Sequence, residues 1–182
     1  MTSRSSGSKG RAAKQRPRDG ETELDRAKAL VLRVLAFHAR SEAQLRARLE
    51  RAGFEAVAAE VLAWARRLGY LDDGAYARGR ARALVASGRA GPRLVERKLA
   101  AAGIPRADAR RAVAEALAER GGAAGEGGGS EAALCREALA RKLRGQDPDA
   151  LDPKARARAV RFLLGRGFSP EVVSRVLRAE LD

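Results

Sequence analysis

Cysteine and histidine occur once each in this chain of 182 residues, as Cys135 and His38, and asparagine is absent. A lone cysteine leaves no disulfide framework and no cysteine-based zinc site within one chain. A lone histidine removes histidine-rich metal sites and argues against a histidine-based catalytic triad. The missing amide bears on nucleic acids, because adenine is usually read by Asn or Gln, and glutamine is limited to Gln15, Gln44 and Gln146. Aromatic residues make up 4% of the chain and Ile104 is its one isoleucine, so strand formers are scarce. No apolar run approaches the ~20 residues of a membrane-spanning helix. The N-terminus has no apolar core of a secretory signal. These absences predict a cytoplasmic protein with no cofactor, no metal site and no membrane attachment.

What is abundant is Ala, Leu, Arg and Glu, a mixture that favours helix. The formal net charge is +14, which points to a polyanionic partner: nucleic acid, an acidic protein surface or a membrane face. Arginine outnumbers lysine 31 to 6, as GC-rich coding produces whatever the function. Part of the arginine count therefore belongs to solvated helix faces, but such drift does not demand so few acids.

A short phrase is used three times: Leu49-x3-Gly53-Phe54, Leu99-x3-Gly103-Ile104 and Leu163-x3-Gly167-Phe168. Each copy lies between two helical periodicities. With Gly as the left-handed residue after the helix, Leu and the following apolar residue take the two positions that touch in a Schellman cap. A corner built three times predicts tandem helical units.

The chain divides on composition. Residues 1–22 read as a disordered basic arm, too polar to offset the entropy of ordering. Residues 23–69 form a first three-helix unit. In its first helix Leu24, Ala27, Val31, Val34, Leu35 and His38 share one stripe, and Ser41 with Gln44 makes a capping box for the second. Residues 70–120 form a second unit opening at Asp72 or Asp73, with helices from Pro92 and from Pro105 to about Glu119. Residues 121–130 read as a glycine-rich flexible linker, and 131–182 as a third unit. Four of six prolines (Pro92, Pro105, Pro153 and Pro170) fall at predicted helix starts. The fold class is all-α, three tandem three-helix repeats.

Candidate chemistry is sparse. Asp72-Asp73 is explained by helix capping and the helix dipole. The glycine-rich stretch lacks the Gly-Lys-Ser/Thr ending of a phosphate loop. Cys135 lies on a helix with no histidine to activate it and reads as a small buried hydrophobe. Trp64 reads as core. Glu55 and Glu60 would oppose phosphates at a recognition helix, so site-specific DNA reading is disfavoured. The basic surface is the stronger signal. Between Tyr76 and Arg111, ten Lys/Arg face two acids. Arg78 with Arg82, and Arg93 with Arg97, are i, i+4 neighbours that could line up along adjacent helices. Arg89, Lys98, Arg110 and Arg111 belong to the same set, and Lys154 and Arg158 extend it into the third unit. These ten are the candidate contacts to a phosphate backbone or an acidic surface. No residue is a candidate for catalysis.

The run Arg40-Ser41-Glu42-x2-Leu45-x3-Leu49-x3-Gly53-Phe54, followed by Leu68-Gly69-Tyr70-Leu71-Asp72-Asp73-x2-Tyr76-Ala77, resembles the bacterial RecX regulators of the RecA recombinase. Gly91-Pro92 through Leu99-x3-Gly103-Ile104 is similar to that family's second repeat. The resemblance is close over residues 27–118 and looser over 131–182. It implies an elongated, curved array that acts as a non-catalytic regulator, binds the RecA–DNA filament and mainly inhibits recombinase activity. The chain is expected to be a monomer, and its basic surface to contact single- or double-stranded DNA non-specifically. The alternative is a general nucleic-acid-binding helical protein whose basic face acts alone.

Overall fold

The structure, a computed structural model, describes residues 21–124, 130–148 and 150–178. The described residues form helices without strands: α1 (Glu23–Phe37), α2 (Glu42–Arg51), α3 (Glu55–Arg67), α4 (Asp73–Ala86), α5 (Pro92–Ala101), α6 (Arg106–Ala124), α7 (Glu131–Leu143), α8 (Pro153–Gly165) and α9 (Pro170–Arg178). Helices pack in consecutive triples, α1–α3, α4–α6 and α7–α9. The all-α, three-helix-repeat expectation holds. The basic arm over residues 1–20 and the linker core at 125–129 lie outside the described residues.

Caps fix where the helices begin. Ser41 and Gln44 form the expected capping box on α2. Thr22 and Asp25 form another on α1, so Thr22 belongs to the first helix start and not to an arm. Asp72 caps α4, Ser130 caps α7 and Asp152 caps α8, each accepting from the backbone N–H three residues on. The Thr22 hydroxyl lowers the Asp25 carboxyl pKa by hydrogen bonding to it. The structure departs from the expected end of the third helix of unit two. Instead of stopping near Glu119, α6 continues to Ala124. Arg120 gives the reason: its guanidinium holds Glu137 at 2.5 Å and the Val85 carbonyl at 3.4 Å. The chain is thereby anchored where composition predicts an exit, and Ala123-Ala124 extend a helix readily.

All three corners are Schellman caps. The N–H of Phe54, Ile104 and Phe168 donates to the carbonyl of Leu49, Leu99 and Leu163 at 3.0, 3.1 and 3.3 Å. The glycine N–H bonds the carbonyl three back in each case, and φ is +82°, +86° and +86° at Gly53, Gly103 and Gly167. A fourth cap of the same type joins the first two units, with Tyr70 N–H donating to the Ala65 carbonyl at 2.9 Å and Gly69 at φ +72°. Its C3 residue is Ala, not Leu, which hid it from the sequence pattern.

Two corners do more than end helices. At the second, the hydroxyl of buried Ser41 donates to the Ala102 carbonyl at 2.5 Å, and Gly103 lies against Ala43. At the third, Gly91 N–H donates to the Arg166 carbonyl at 2.8 Å and Arg93 N–H to that of Gly167 at 3.1 Å. Ser41 and Gly91 are the N-caps of α2 and α5, while Ala102 and Arg166 are the C-caps of α5 and α8. Each later unit therefore seats its corner on the start of the middle helix of the unit before it. A Cβ added at Gly53, in the first described unit, would meet nothing within 4 Å.

The cores are divided unequally. Ala27, Val31, Leu45, Leu49, Val61, Leu62 and Leu71 belong to a core for unit one. Units two and three share a second core that runs from Ala77 through Leu99 and Leu134 to Leu177. His38, expected on the inward stripe of α1, is exposed at its C-cap. The helix has ended there, so the 3.6-residue period no longer sets the side chain's direction. Trp64 packs half-buried against the first core, with Lys28 over its ring and Tyr70 tilted beside it at 5.9 Å.

Candidate functional site

The third corner, by docking on α5, closes a basic groove. Arg93 and Arg97 come from α5, and Arg106 and Arg110 from α6. Each pair is spaced i, i+4, which places both members on one helix face. Leu164, Gly167 and Phe168 of unit three form the opposite wall, and the groove holds about 700 Å³. Glu96 is the carboxylate among its lining residues. Arg93 also lies 3.7 Å from Glu171, an exposed pair that contributes little stability. Leu164 remains 40% exposed, an apolar contact point within a charged surface.

A second basic concavity of about 360 Å³ lies where α4 hands over to α5, between units two and three. Arg89 comes from unit two; Arg141, Lys142, Arg144 and Arg166 come from unit three, around Phe162. Lys142 and Arg166 sit 5.4 and 5.1 Å from the Phe162 ring centre, within cation–π range. On α8, Phe162 and Leu164 are two residues and hence about 200° apart, so one helix forms part of both basic concavities. Lys154 and Arg158 are exposed on the turns preceding these residues.

Sequence spacing brings only part of the candidate set together. Arg93, Arg97 and Arg110 meet in the groove, and Arg89 lines the second concavity. Lys98 and Arg78 are exposed on α5 and α4 without lining either. Arg82 is held by Glu119 at 2.5 Å, and this hydrogen bond raises the arginine's pKa while lowering that of Glu119. Arg111 pairs with Asp108 at 2.5 Å. The single stripe along adjacent helices is thus divided by local ion pairs.

The four unit-three cations of the second concavity escaped sequence reasoning. Arg141, Lys142 and Arg144 cluster at the end of α7, where cations are ordinarily explained by the helix dipole. The signal available was the run Arg141-Lys142-x-Arg144 together with Arg166 beside a corner glycine. Only the packing of α7 on α8 brings them together.

The Tyr-Leu-Asp-Asp string is a joint between units one and two. Leu71 enters the first core, and Asp72 caps its own helix. Asp73 instead accepts the Glu42 N–H at 2.7 Å, capping α2 from the next unit. Tyr70 stays 51% exposed and Phe37 76% exposed, both lining an open concavity with His38, Tyr76 and Arg80.

Cys135 is fully buried in the shared core, and burial pushes its thiol from an ordinary 9.0 up to about 11. A thiol raised that far carries roughly a hundredfold less thiolate at neutral pH, and the thiolate is the reactive form. DTNB is expected to label the native chain at least about a hundredfold more slowly than the unfolded chain. Equal rates would overturn the buried reading. Since the folded pKa lies above the unfolded one, this group's contribution to stability is present below pH 9 and lost as pH rises towards 11. Among the described residues no group of His, Cys, Asp and Glu is placed to hold a metal. No described helix is long and apolar enough to cross a membrane.

Three-helix units that lock corner to helix start, with a basic concavity on either side of one junction, define a tandem helical-repeat protein with cations gathered where two units meet. Models of the first and third three-helix domains of RecX match residues 27–64 and 130–177. Regulatory protein RecX of Syntrophotalea carbinolica is 35% identical over 144 residues, covering 78% of this chain and 88% of the relative. The Thermus thermophilus protein of that name is 39% identical over 146 residues, covering 77% and 82%. The chain belongs to the RecX family of regulatory proteins. A crystal structure of regulatory protein RecX superposes with a TM-score of 0.65 at 22% identity, covering 85% of this chain and 72% of the other. That of RecX from Lactobacillus salivarius gives 0.64 at 17%, covering 87% and 96%. At these identities the structures support the shared fold alone.

Proposed function

We propose that this protein binds the RecA–DNA filament and restrains the recombinase without itself catalysing a reaction. The observation that carries this reading is the groove of Arg93, Arg97, Arg106 and Arg110, closed by Leu164 of the next unit. Four guanidinium groups supply long-range attraction to a polyanionic assembly, and Leu164 supplies an apolar anchor at close range. A filament repeats along its length, and a chain of like units locked at corner junctions can lie along it with the basic groove held in a set orientation. Membership in a family of regulatory proteins supports the same conclusion. In this reading the chain acts as a cytoplasmic monomer, with units over 23–69, 70–120 and 131–182. The N-terminal basic residues add non-specific attraction to DNA.

The direct test is ATP hydrolysis by RecA on single-stranded DNA. Near-equimolar or substoichiometric amounts of the protein are expected to slow it. An unchanged ATPase, combined with tight binding to bare DNA, would replace this reading with that of a general nucleic-acid-binding protein. The second concavity, rich in cations, is the feature that favours this alternative.

A further inference from the structure

We infer that the concavity around Phe162 is a binding site for the phosphodiester backbone of nucleic acid, whereas the Arg93–Arg110 groove serves a protein surface. The inference rests on the reading above in that nucleic acid is one of the partners. Five cations line this concavity: Arg89, Arg141, Lys142, Arg144 and Arg166. Guanidinium and ammonium groups only donate hydrogen bonds. Two backbone acceptors beside the concavity are already engaged, the Gly88 carbonyl by Arg141 and the Arg89 carbonyl by Arg166 at 3.2 Å. The nearby Glu137 carboxylate is held by Arg120 at 2.5 Å and lies 4.0 Å from Arg141. What the concavity offers a ligand is therefore donors.

A phosphodiester presents acceptors only and suits such a surface. A protein segment brings its own N–H donors, and these would lose water without finding a partner here. The first groove differs: Glu96 can accept hydrogen bonds and Leu164 gives apolar contact.

The site is also ordered in advance. Phe162 fixes Lys142 and Arg166 through its ring, and the two carbonyls fix Arg141 and Arg166. Side chains already held in place lose less freedom on binding. Arg144 adds an independent observation, since it is the one non-glycine residue with positive φ among the described residues, at +52°. Glycine would occupy that conformation with less strain, and Gly145 follows with φ +89°. Arg144 thus ends α7 in a conformation that glycine usually supplies, and places a cation beside the concavity in its stead.

The test uses the full chain, a fluorescein-labelled oligo(dT) and anisotropy across a salt series, with no RecA present. The variant K142Q/R144G removes two cations, and its glycine suits the left-handed backbone. It is expected to melt at or above the temperature of the parent yet bind about tenfold more weakly. Its dependence of log K on log salt should be shallower by about 1 to 1.5, from about 0.7 per phosphate lost on single strands. R26Q/R67Q removes the same charge from unit one and should change neither quantity appreciably. Equal losses in both variants, or no loss in the first, would overturn the site. Displacement of the oligonucleotide by millimolar ATP would reassign it to free nucleotides. Equally effective displacement by polyglutamate and by unlabelled oligo(dT) of matched charge would reassign it to acidic protein. Failure here leaves the filament reading standing, and an unaffected RecA ATPase leaves this site standing.

Discussion

Replacing Gly167 by Ala is expected to destabilise the protein by roughly 2–5 kcal/mol, measured by urea unfolding. Two causes add. An L-residue held near φ +86° costs about 1–2 kcal/mol. The new Cβ would also run into the backbone nitrogen and Cβ of Leu94 on α5, and relieving such overpacking costs about 1–3 kcal/mol. Three further glycines separate these causes. Gly53 shares the left-handed φ but has open space beyond it, so G53A isolates the backbone contribution at about 1–2 kcal/mol. Gly91 has an ordinary φ of −75°, but its Cβ would lie 2.7 Å from the Gly167 backbone, so G91A isolates the steric contribution at about 1–3 kcal/mol. G103A carries both causes, with Ala43 as the obstacle, and should resemble G167A. If G53A proves as damaging as G167A, the corners act as caps only and the docking rule is wrong.

Reversing charge with R93E/R97E is expected to weaken binding to the RecA–DNA filament by at least about tenfold, and up to about a hundredfold at low salt. Both side chains are exposed, so unfolding free energy should change by less than about 1 kcal/mol. The reversal turns attraction into repulsion at a groove that Arg106 and Arg110 would otherwise complete. Added salt should narrow the gap between parent and variant, because the charges are screened over about 10 Å. Co-sedimentation with filaments across a salt series measures this. Binding equal to that of the parent would assign the groove to solvation.

Much of the local structure is legible in residue order. Ser41 and Gln44, Asp72, and the prolines at 92, 153 and 170 mark helix starts, since capping and proline geometry act within one turn. The three Leu-x3-Gly corners mark ends for the same reason. Arg120 shows the limit: its tie to Glu137, seventeen residues on, carries α6 through Gly121-Gly122, where composition predicts an exit. The candidate site was legible in part. Spacing along one helix pairs Arg93 with Arg97, but adding Arg106 and Arg110 requires the crossing of α5 and α6, and Leu164 requires the docking of unit three. Arg82 and Arg111 read as free cations in the sequence, yet each has a carboxylate partner on α6.

The recurring Leu-x3-Gly corner carries both lessons. Residue order is enough for the helical class, the caps and the recurrence of the unit, because these depend on contacts within about six residues. Tertiary structure alone decided that the second and third corners are also junctions. It decided that two units share one core, and that cations from α4–α5, α7 and α8 gather around Phe162. Those outcomes depend on which surfaces meet across tens of residues of chain. Net charge and periodicity carry no information about that meeting, because any solvated helix face can bear the same arginines.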